Sequence, residues 1–257
     1  MKLNADIVFD NLPPQFDAHM EGPKEERLLL GRPQLYEGLE KPFKAGTLTI
    51  VRSERLPQRA YAERGAVILC IGSSPRLKRY ASSCCTIQID GSCDFYQLFN
   101  TVQGIFDAYD AWEQDLISII EEDASLPRML TATESLLDVD LLAIDKDFKV
   151  VGTSAHSSFS ISYAGSGLPG TQNLDIDSFD KFIGQRDLSM EQRDPFLIEL
   201  LGITTLNYNL HLEGEYAGCV TVQYVTRANR PSDSPVLKML GDMILRAIRR
   251  LATLEVD

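Results

Sequence analysis

The sequence has no apolar run approaching the roughly 20 residues that span a bilayer, so no membrane-spanning helix is expected. Its first ten residues carry Asp6 and Asp10 and no apolar core, so no secretory signal is expected either. Basic residues are in deficit: Lys and Arg total 25 against 37 Asp and Glu, a net charge of −12. Such a chain repels phosphate backbones, so these residues are not expected to bind nucleic acid directly. Cysteines number five, Cys70, Cys84, Cys85, Cys93 and Cys219. An odd count, an adjacent pair and no Cys-x-x-Cys spacing exclude a disulfide framework or a zinc knuckle and fit a reducing cytoplasm.

The motifs of catalysis are missing too. The three histidines, His19, His156 and His211, show no His-x-x-x-His spacing, so no metal site is assigned. Ser154, His156 and Asp175 make a triad only on paper, because no serine sits in a Gly-x-Ser-x-Gly elbow; Gly165-Ser166-Gly167 lacks the spacing. Asn173, Asp175 and Asp177 alternate as a calcium loop begins, without its central Gly or closing Glu. No catalytic residue and no cofactor follow from the residues, and an enzyme is not expected.

What the sequence does contain is a long helix. Asp94 to Asp123 has no proline, and Leu98, Val102, Ile105, Tyr109, Trp112, Leu116 and Ile119 recur at alternating four- and three-residue steps. That is the seam of two helices that wrap around each other, so Val102, Ile105, Tyr109, Trp112, Leu116 and Ile119 are expected to pair two copies as a homodimer. Phe95, Phe99, Phe106 and Ile120 widen the stripe, so part of the helix is also expected to pack on a domain.

Residues 1–93 read as an α/β domain. Gly46 to Arg52 and the unbroken run Ala66 to Ile71 are strands, the second buried on both faces and central; Cys84 to Ile89 is a third. Between the last two, Gly72-Ser73-Ser74-Pro75 leads into a short helix through Arg76 and Tyr80. A turn at the carboxyl end of a central strand is where open α/β sheets hold anions, so Ser73, Ser74 and Arg76 form an anion-binding candidate. It lacks the full glycine fingerprint and the lysine of a phosphate loop, and a plain structural turn is the competing reading.

Residues 124–257 follow a different plan: a helix at Leu126 to Leu137, a hairpin from Leu141 to Val151, and a Ser/Gly-rich stretch from Ala155 to about Asp175. A helix is expected at Ile176 to Gly184, a strand at Pro195 to Leu200, a hairpin from Ile203 to Val225, and a closing helix from Pro235 to Leu254. The fold class is thus α+β overall: an α/β domain over residues 1–93, a connector helix over 94–123 and an antiparallel sheet with helices over 124–257.

The passage from Ile203 to Leu251, with Ala217-Gly218-Cys219-Val220 after a glycine turn and a long amphipathic helix at its end, resembles the last third of GAF domains. The resemblance extends more loosely over residues 125–251, where a PAS-like domain fits as well. An α/β domain, a long helix and a GAF-like domain in this order resemble the sensory region of bacterial transcription regulators of the purine-catabolism (PucR) type. The resemblance implies a cytoplasmic regulator that senses a small-molecule effector and relays the signal through the connector helix to a helix-turn-helix output domain. No such segment lies within these residues. It also implies a ligand pocket with His156, Tyr163, Asn207, Asn209, Gln223 and Tyr224 on its polar lining. The alternatives are a ligand-free structural dimerisation module and an enzyme taking an anionic substrate at the Gly72–Pro75 loop.

Overall fold

The computed structural model describes residues 1–38, 40–59, 61–147, 149–154, 172–173, 190–200 and 203–254. Apart from Gln172 and Asn173, the expected Ser/Gly-rich stretch lies outside them, as does the helix at Ile176 to Gly184. The fold is α+β, with two separate sheets, and the chain divides into compact units at Met1–Asp110 and Ala111–Asp257. No described helix is long and apolar enough to cross a membrane.

The first unit begins with helix α1 (Ala5–Asp10), capped by Asn4, whose Oδ1 accepts from the Ile7 amide at 3.0 Å. Its sheet comprises β1 (His19–Glu21), β2 (Pro33–Leu35), β3 (Leu48–Arg52), β4 (Val67–Ile71) and β5 (Cys85–Ile89) in the order β1-β5-β4-β3-β2. The four strands β2 to β5 are parallel, and β1 closes one edge antiparallel to β5. All five residues of β4 are buried, as its unbroken apolar run requires. Helix α2 (Pro75–Tyr80) connects β4 to β5. A repeat invisible to hydropathy underlies the sheet. Gly31, Gly46 and Gly65 each stand two residues before a strand and stack as rungs, Gly31 N–H donating to the Gly46 carbonyl and Gly46 N–H to that of Gly65, both at 2.9 Å.

Helix α3 (Phe95–Glu122) starts where expected: Asp94 Oδ1 accepts from the Gln97 amide at 2.8 Å. It supplies its first half to the first unit and its second half to the other. In the first unit, Asn11 Nδ2 donates to the Tyr109 hydroxyl at 3.3 Å, and Arg32 pairs with Asp107 at 2.6 Å and with Asp110. In the second, Trp112 Nε1 donates to Thr133 Oγ1 at 3.0 Å.

This corrects the expected dimer seam. Val102, Ile105, Tyr109, Trp112, Leu116 and Ile119 are all buried within the single chain. The widened stripe carries the reason. Phe106 and Ile120 are buried with the seam residues, so the apolar face is too broad for a two-stranded coiled coil and is consumed in forming cores.

The second unit contains α4 (Leu126–Leu137), β6 (Asp140–Asp145), β7 (Lys149–Thr153), β8 (Gln172–Asn173), β9 (Phe196–Leu200), β10 (Ile203–Leu212), β11 (Glu215–Gln223) and α5 (Asp233–Leu254). The sheet is antiparallel in the order β8-β7-β6-β11-β10-β9, so the chain's first hairpin sits beside its last. Helices α4 and α5 pack on one face of it. Gly152 lies under Leu126 and Leu130 of α4, and Gly241 of α5 lies against the Tyr208 ring.

Two glycines in helices give opposite expectations. Gly104 is exposed, and a Cβ there meets nothing within 4 Å, so Gly104→Ala should raise stability by about 1 kcal/mol, the helix-propensity difference. A Cβ at Gly241 would overlap the buried Tyr208 ring, so Gly241→Ala should lower stability by about 2 kcal/mol. Urea unfolding of both variants beside the wild type measures the two signs; equal effects would contradict the packing described.

Candidate functional site

Strand pairing decides which side chains of the second sheet share a face. Leu206 pairs with Val222, Tyr208 with Val220 and Leu210 with Gly218; Val220 and Val222 pair in turn with Ala143 and Leu141. Because side chains alternate along a strand, this set forms one face, and Tyr208 and Leu210 place it under α5. The opposite face carries Thr205 beside Gln223, Asn207 beside Thr221 and Asn209 beside Cys219, continued by Asp140, Leu142 and Ile144 of β6. Residues Thr205, Asn207, Asn209, Thr221 and Gln223 are all buried. Buried polar groups of this number need partners, and most have them.

The partners form a directed chain across three strands. Thr221 Oγ1 donates to Asn207 Oδ1 at 2.8 Å, Asn207 Nδ2 donates to Thr205 Oγ1 at 2.9 Å, and Thr205 Oγ1 donates to the Ile198 carbonyl at 3.1 Å. Each bond polarises the next, and the chain fixes the register of β9, β10 and β11. At the far end of β10, Asn209 Nδ2 donates to the Gln192 carbonyl at 3.3 Å, and His211 Nε2 lies 3.0 Å from the Met190 carbonyl.

Gln223 is the exception. It is 2% exposed, and its Oε1 has no hydrogen-bond partner among the described residues. A buried acceptor without a donor costs about 1–3 kcal/mol, so this atom marks a place where a donor from elsewhere is favoured. Around it the face is apolar or neutral-polar, apart from Asp140, its neighbour across the ladder. Burial pushes the Cys219 thiol up to about 11, so it is neutral at physiological pH. The surface is suited to hydrogen-bonding an uncharged molecule rather than to attacking one.

The other expected pocket residues are distributed differently. His156 and Tyr163 lie outside the described residues. Asn207 is on the same face as Gln223, and its amide is already engaged in the chain of hydrogen bonds. Tyr224 is a correction: it follows Gln223 by one position and so points to the helix side. There its hydroxyl lies 2.9 Å from both Asn229 Oδ1 and Asp233 Oδ2. Asp233 is fully buried and is gripped by Arg227 through two bonds of 2.7 and 2.9 Å, while Arg227 also donates to the Leu137 carbonyl that ends α4. Burial first, then the Asp233 charge, holds the Tyr224 phenol well above its ordinary pKa. This cluster joins the end of α4 to the start of α5. Thr205 and Thr221 are the residues that sequence reading left out. Their signal was available in the alternation of β11, where Cys219, Thr221 and Gln223 fall on one side.

In the first unit, Ser73, Ser74 and Arg76 do come together. Ser74 Oγ accepts from the Arg76 amide at 3.2 Å and caps α2, while Arg76 donates to the Leu56 carbonyl at 2.7 Å. They line a cleft of about 910 Å³ with Ser53, Glu54, Gln58, Arg59, Pro75 and Arg79. Elsewhere in this unit Cys70, Cys84 and Cys85 are buried, and burial pushes each thiol up to about 12. Among the described residues no cluster of His, Cys, Asp and Glu is arranged to hold a metal ion.

No family model matches the chain, and none of the curated proteins compared with it matches. Solved structures similar to it include three GAF domains. The cofactor-binding GAF domain of the nutrient sensor CodY from Clostridium difficile is 9% identical, with a TM-score of 0.38 over 56% of this chain and 97% of that one. The phycoerythrobilin-bound GAF domain of a cyanobacterial phytochrome is 14% identical, with a TM-score of 0.41 over 58% and 97%. The GAF domain of an Acinetobacter phosphoenolpyruvate-protein phosphotransferase is 14% identical, with a TM-score of 0.33 over 58% and 98%. The assignment of faces and partners made above rests on the strand pairing and hydrogen bonds of this chain alone.

The Arg227–Asp233 pair should be sensitive to loss of either partner. Asp233→Ala leaves a buried guanidinium uncompensated and should lower stability by about 3–5 kcal/mol, whereas removing an exposed pair such as Lys238 with Asp194 should change it by less than about 1 kcal/mol. Chemical denaturation of the two variants checks this.

Proposed function

We propose that the second unit is a GAF-like sensor for a small uncharged ligand, held on the polar face of its sheet. The observation that carries this reading is the buried Oε1 of Gln223, which has no partner among the described residues while the side chains around it do. A ligand that donates an N–H to that oxygen and packs against Leu142 and Ile144 supplies the bond that Oε1 lacks among the described residues. A neutral, nitrogen-rich ring such as a purine base has this chemistry. The resemblance of the domain order to purine-catabolism regulators favours the same class.

In this reading the chain is the sensory region of a cytoplasmic bacterial transcription regulator that works as a homodimer. Helix α3 is the relay element, and DNA is bound by an output domain rather than by these acidic residues. Ligand shifts the regulator only to the extent that it binds one arrangement better than the other. No catalytic role is proposed for the unit.

A thermal-shift screen of purine bases, nucleosides and small organic acids tests the reading. At a hundred times its dissociation constant, a true ligand stabilises the wild type by about 2.7 kcal/mol. Gln223→Met, which replaces the orphan amide by an apolar chain of similar shape, should be more stable than the ligand-free wild type by about 1 kcal/mol and should lose the ligand response. A screen with no response, together with a Gln223→Met variant that is less stable than wild type, would leave a ligand-free scaffold as the better account.

A further inference from the structure

The first unit contains a cleft whose chemistry is the opposite of the polar sheet face of the second. Three exit loops converge at the carboxyl ends of adjacent parallel strands: Ser53 to Arg59 after β3, Gly72 to Ser74 after β4, and Gly91 after β5. Gly72 makes the convergence possible. It sits at φ +86°, and a Cβ there would come within 2.8 Å of Ser53 Oγ and 3.9 Å of Gly91 Cα. Two further bonds fasten the first loop to α2. Arg76 donates to the Leu56 carbonyl at 2.7 Å, and the buried Tyr80 hydroxyl donates to the Pro57 carbonyl at 3.1 Å. The walls of the cleft are thus held from both sides.

Charge within this cleft runs against that of the chain. Arg59, Arg76 and Arg79 line it with a single carboxylate, Glu54, a surplus of two positive charges in a protein whose net charge is −12. Arg76 and Arg79 are three apart on α2 and share its face. Elsewhere the guanidinium groups of Arg27, Arg32, Arg128 and Arg227 pair with carboxylates. None of the three cleft arginines makes an ion pair among the described residues. An anion would supply the carboxylate-like partner that these three guanidinium groups lack among the described residues, and their planar forks match phosphoryl oxygens.

We infer that this cleft binds a phosphorylated small molecule, with Arg59, Arg76 and Arg79 taking the phosphoryl group. A phosphate monoester carries about −1.5 to −2 charges near neutral pH, which balances the surplus. At about 910 Å³ the cleft has room for the body of a metabolite beside the phosphate, and Ser53, Gln58, Ser73 and Ser74 offer it neutral hydrogen bonds. The site lies wholly within the first unit and does not depend on ligand binding by the second.

Isothermal titration of the full chain at low salt with glucose 6-phosphate, glycerol 3-phosphate, adenosine 5′-monophosphate and inorganic phosphate tests this, with glucose, glycerol and adenosine as uncharged controls. At least one phosphorylated compound should bind saturably while its uncharged counterpart does not. The double variant Arg59→Gln with Arg79→Gln should weaken that binding roughly tenfold or more. Both arginines are exposed, and circular dichroism verifies that the fold is kept. A second variant, Ser73→Asp, places a carboxylate on the loop and should weaken binding as well. Absence of saturable binding by any phosphorylated compound, or equal binding by the wild type and both variants, overturns the inference. Saturable binding of inorganic phosphate alone, at unchanged strength in the variants, does so too.

Discussion

The pairing of β10 with β11 is the constraint on which the second unit depends. With a period of two, one register places Leu206, Tyr208 and Leu210 under α5 and Thr205, Asn207 and Asn209 on the reverse; a slip of one residue would exchange the two sets. The hydrogen bonds from Thr221 through Asn207 and Thr205 to β9 are satisfied only in the observed register. Apolar packing on one side and a polar chain on the other therefore specify the same alignment. That agreement lets the strands tolerate a buried face as polar as this one.

Helix α3 shows how a local reading fixes an apolar face without fixing what covers it. The cap at Asp94, the length and the buried positions were all legible from spacing and residue type. The partner of the stripe was not, because a seven-residue repeat specifies a face and leaves open what covers it. Burial of Tyr109 and Trp112 by the chain itself, with their bonds to Asn11 and Thr133, assigns the stripe to intrachain cores. Any pairing of copies has to use a different surface.

The same division holds elsewhere. Strands with strong patterns, such as Val67–Ile71 and the Ile203–Gln223 hairpin, and the helix Leu126–Leu137 were readable from periodicity. The glycine rungs at Gly31, Gly46 and Gly65 escaped notice, because they are spaced by loops of unequal length and carry no hydropathy signal. Asn207, Asn209 and Gln223, expected together, share one face of the second sheet. Tyr224 was placed with them against the alternation rule and belongs to the Arg227–Asp233 cluster instead. What the residues could not disclose was which polar group would be left unsatisfied, since that depends on every neighbour at once. Arg59 and Arg79 likewise joined Ser73, Ser74 and Arg76 only when the loops were folded against one another.

The two candidate sites are chemically distinct: one is a buried, neutral-polar sheet face marked by Gln223, the other a cationic cleft built on loops of a parallel sheet. The central claim concerns the first, and the Gln223 side-chain carbonyl reports on it directly. In protein labelled with ¹³C at glutamine Cδ, with the Gln223 resonance assigned by its absence in Gln223→Met, titration with adenine, hypoxanthine, xanthine and urate would follow that one carbon. The account predicts that at least one base shifts the resonance saturably, as expected when Oε1 accepts a new hydrogen bond, while the other glutamines stay in place. A Gln223 resonance unmoved by every base would contradict it.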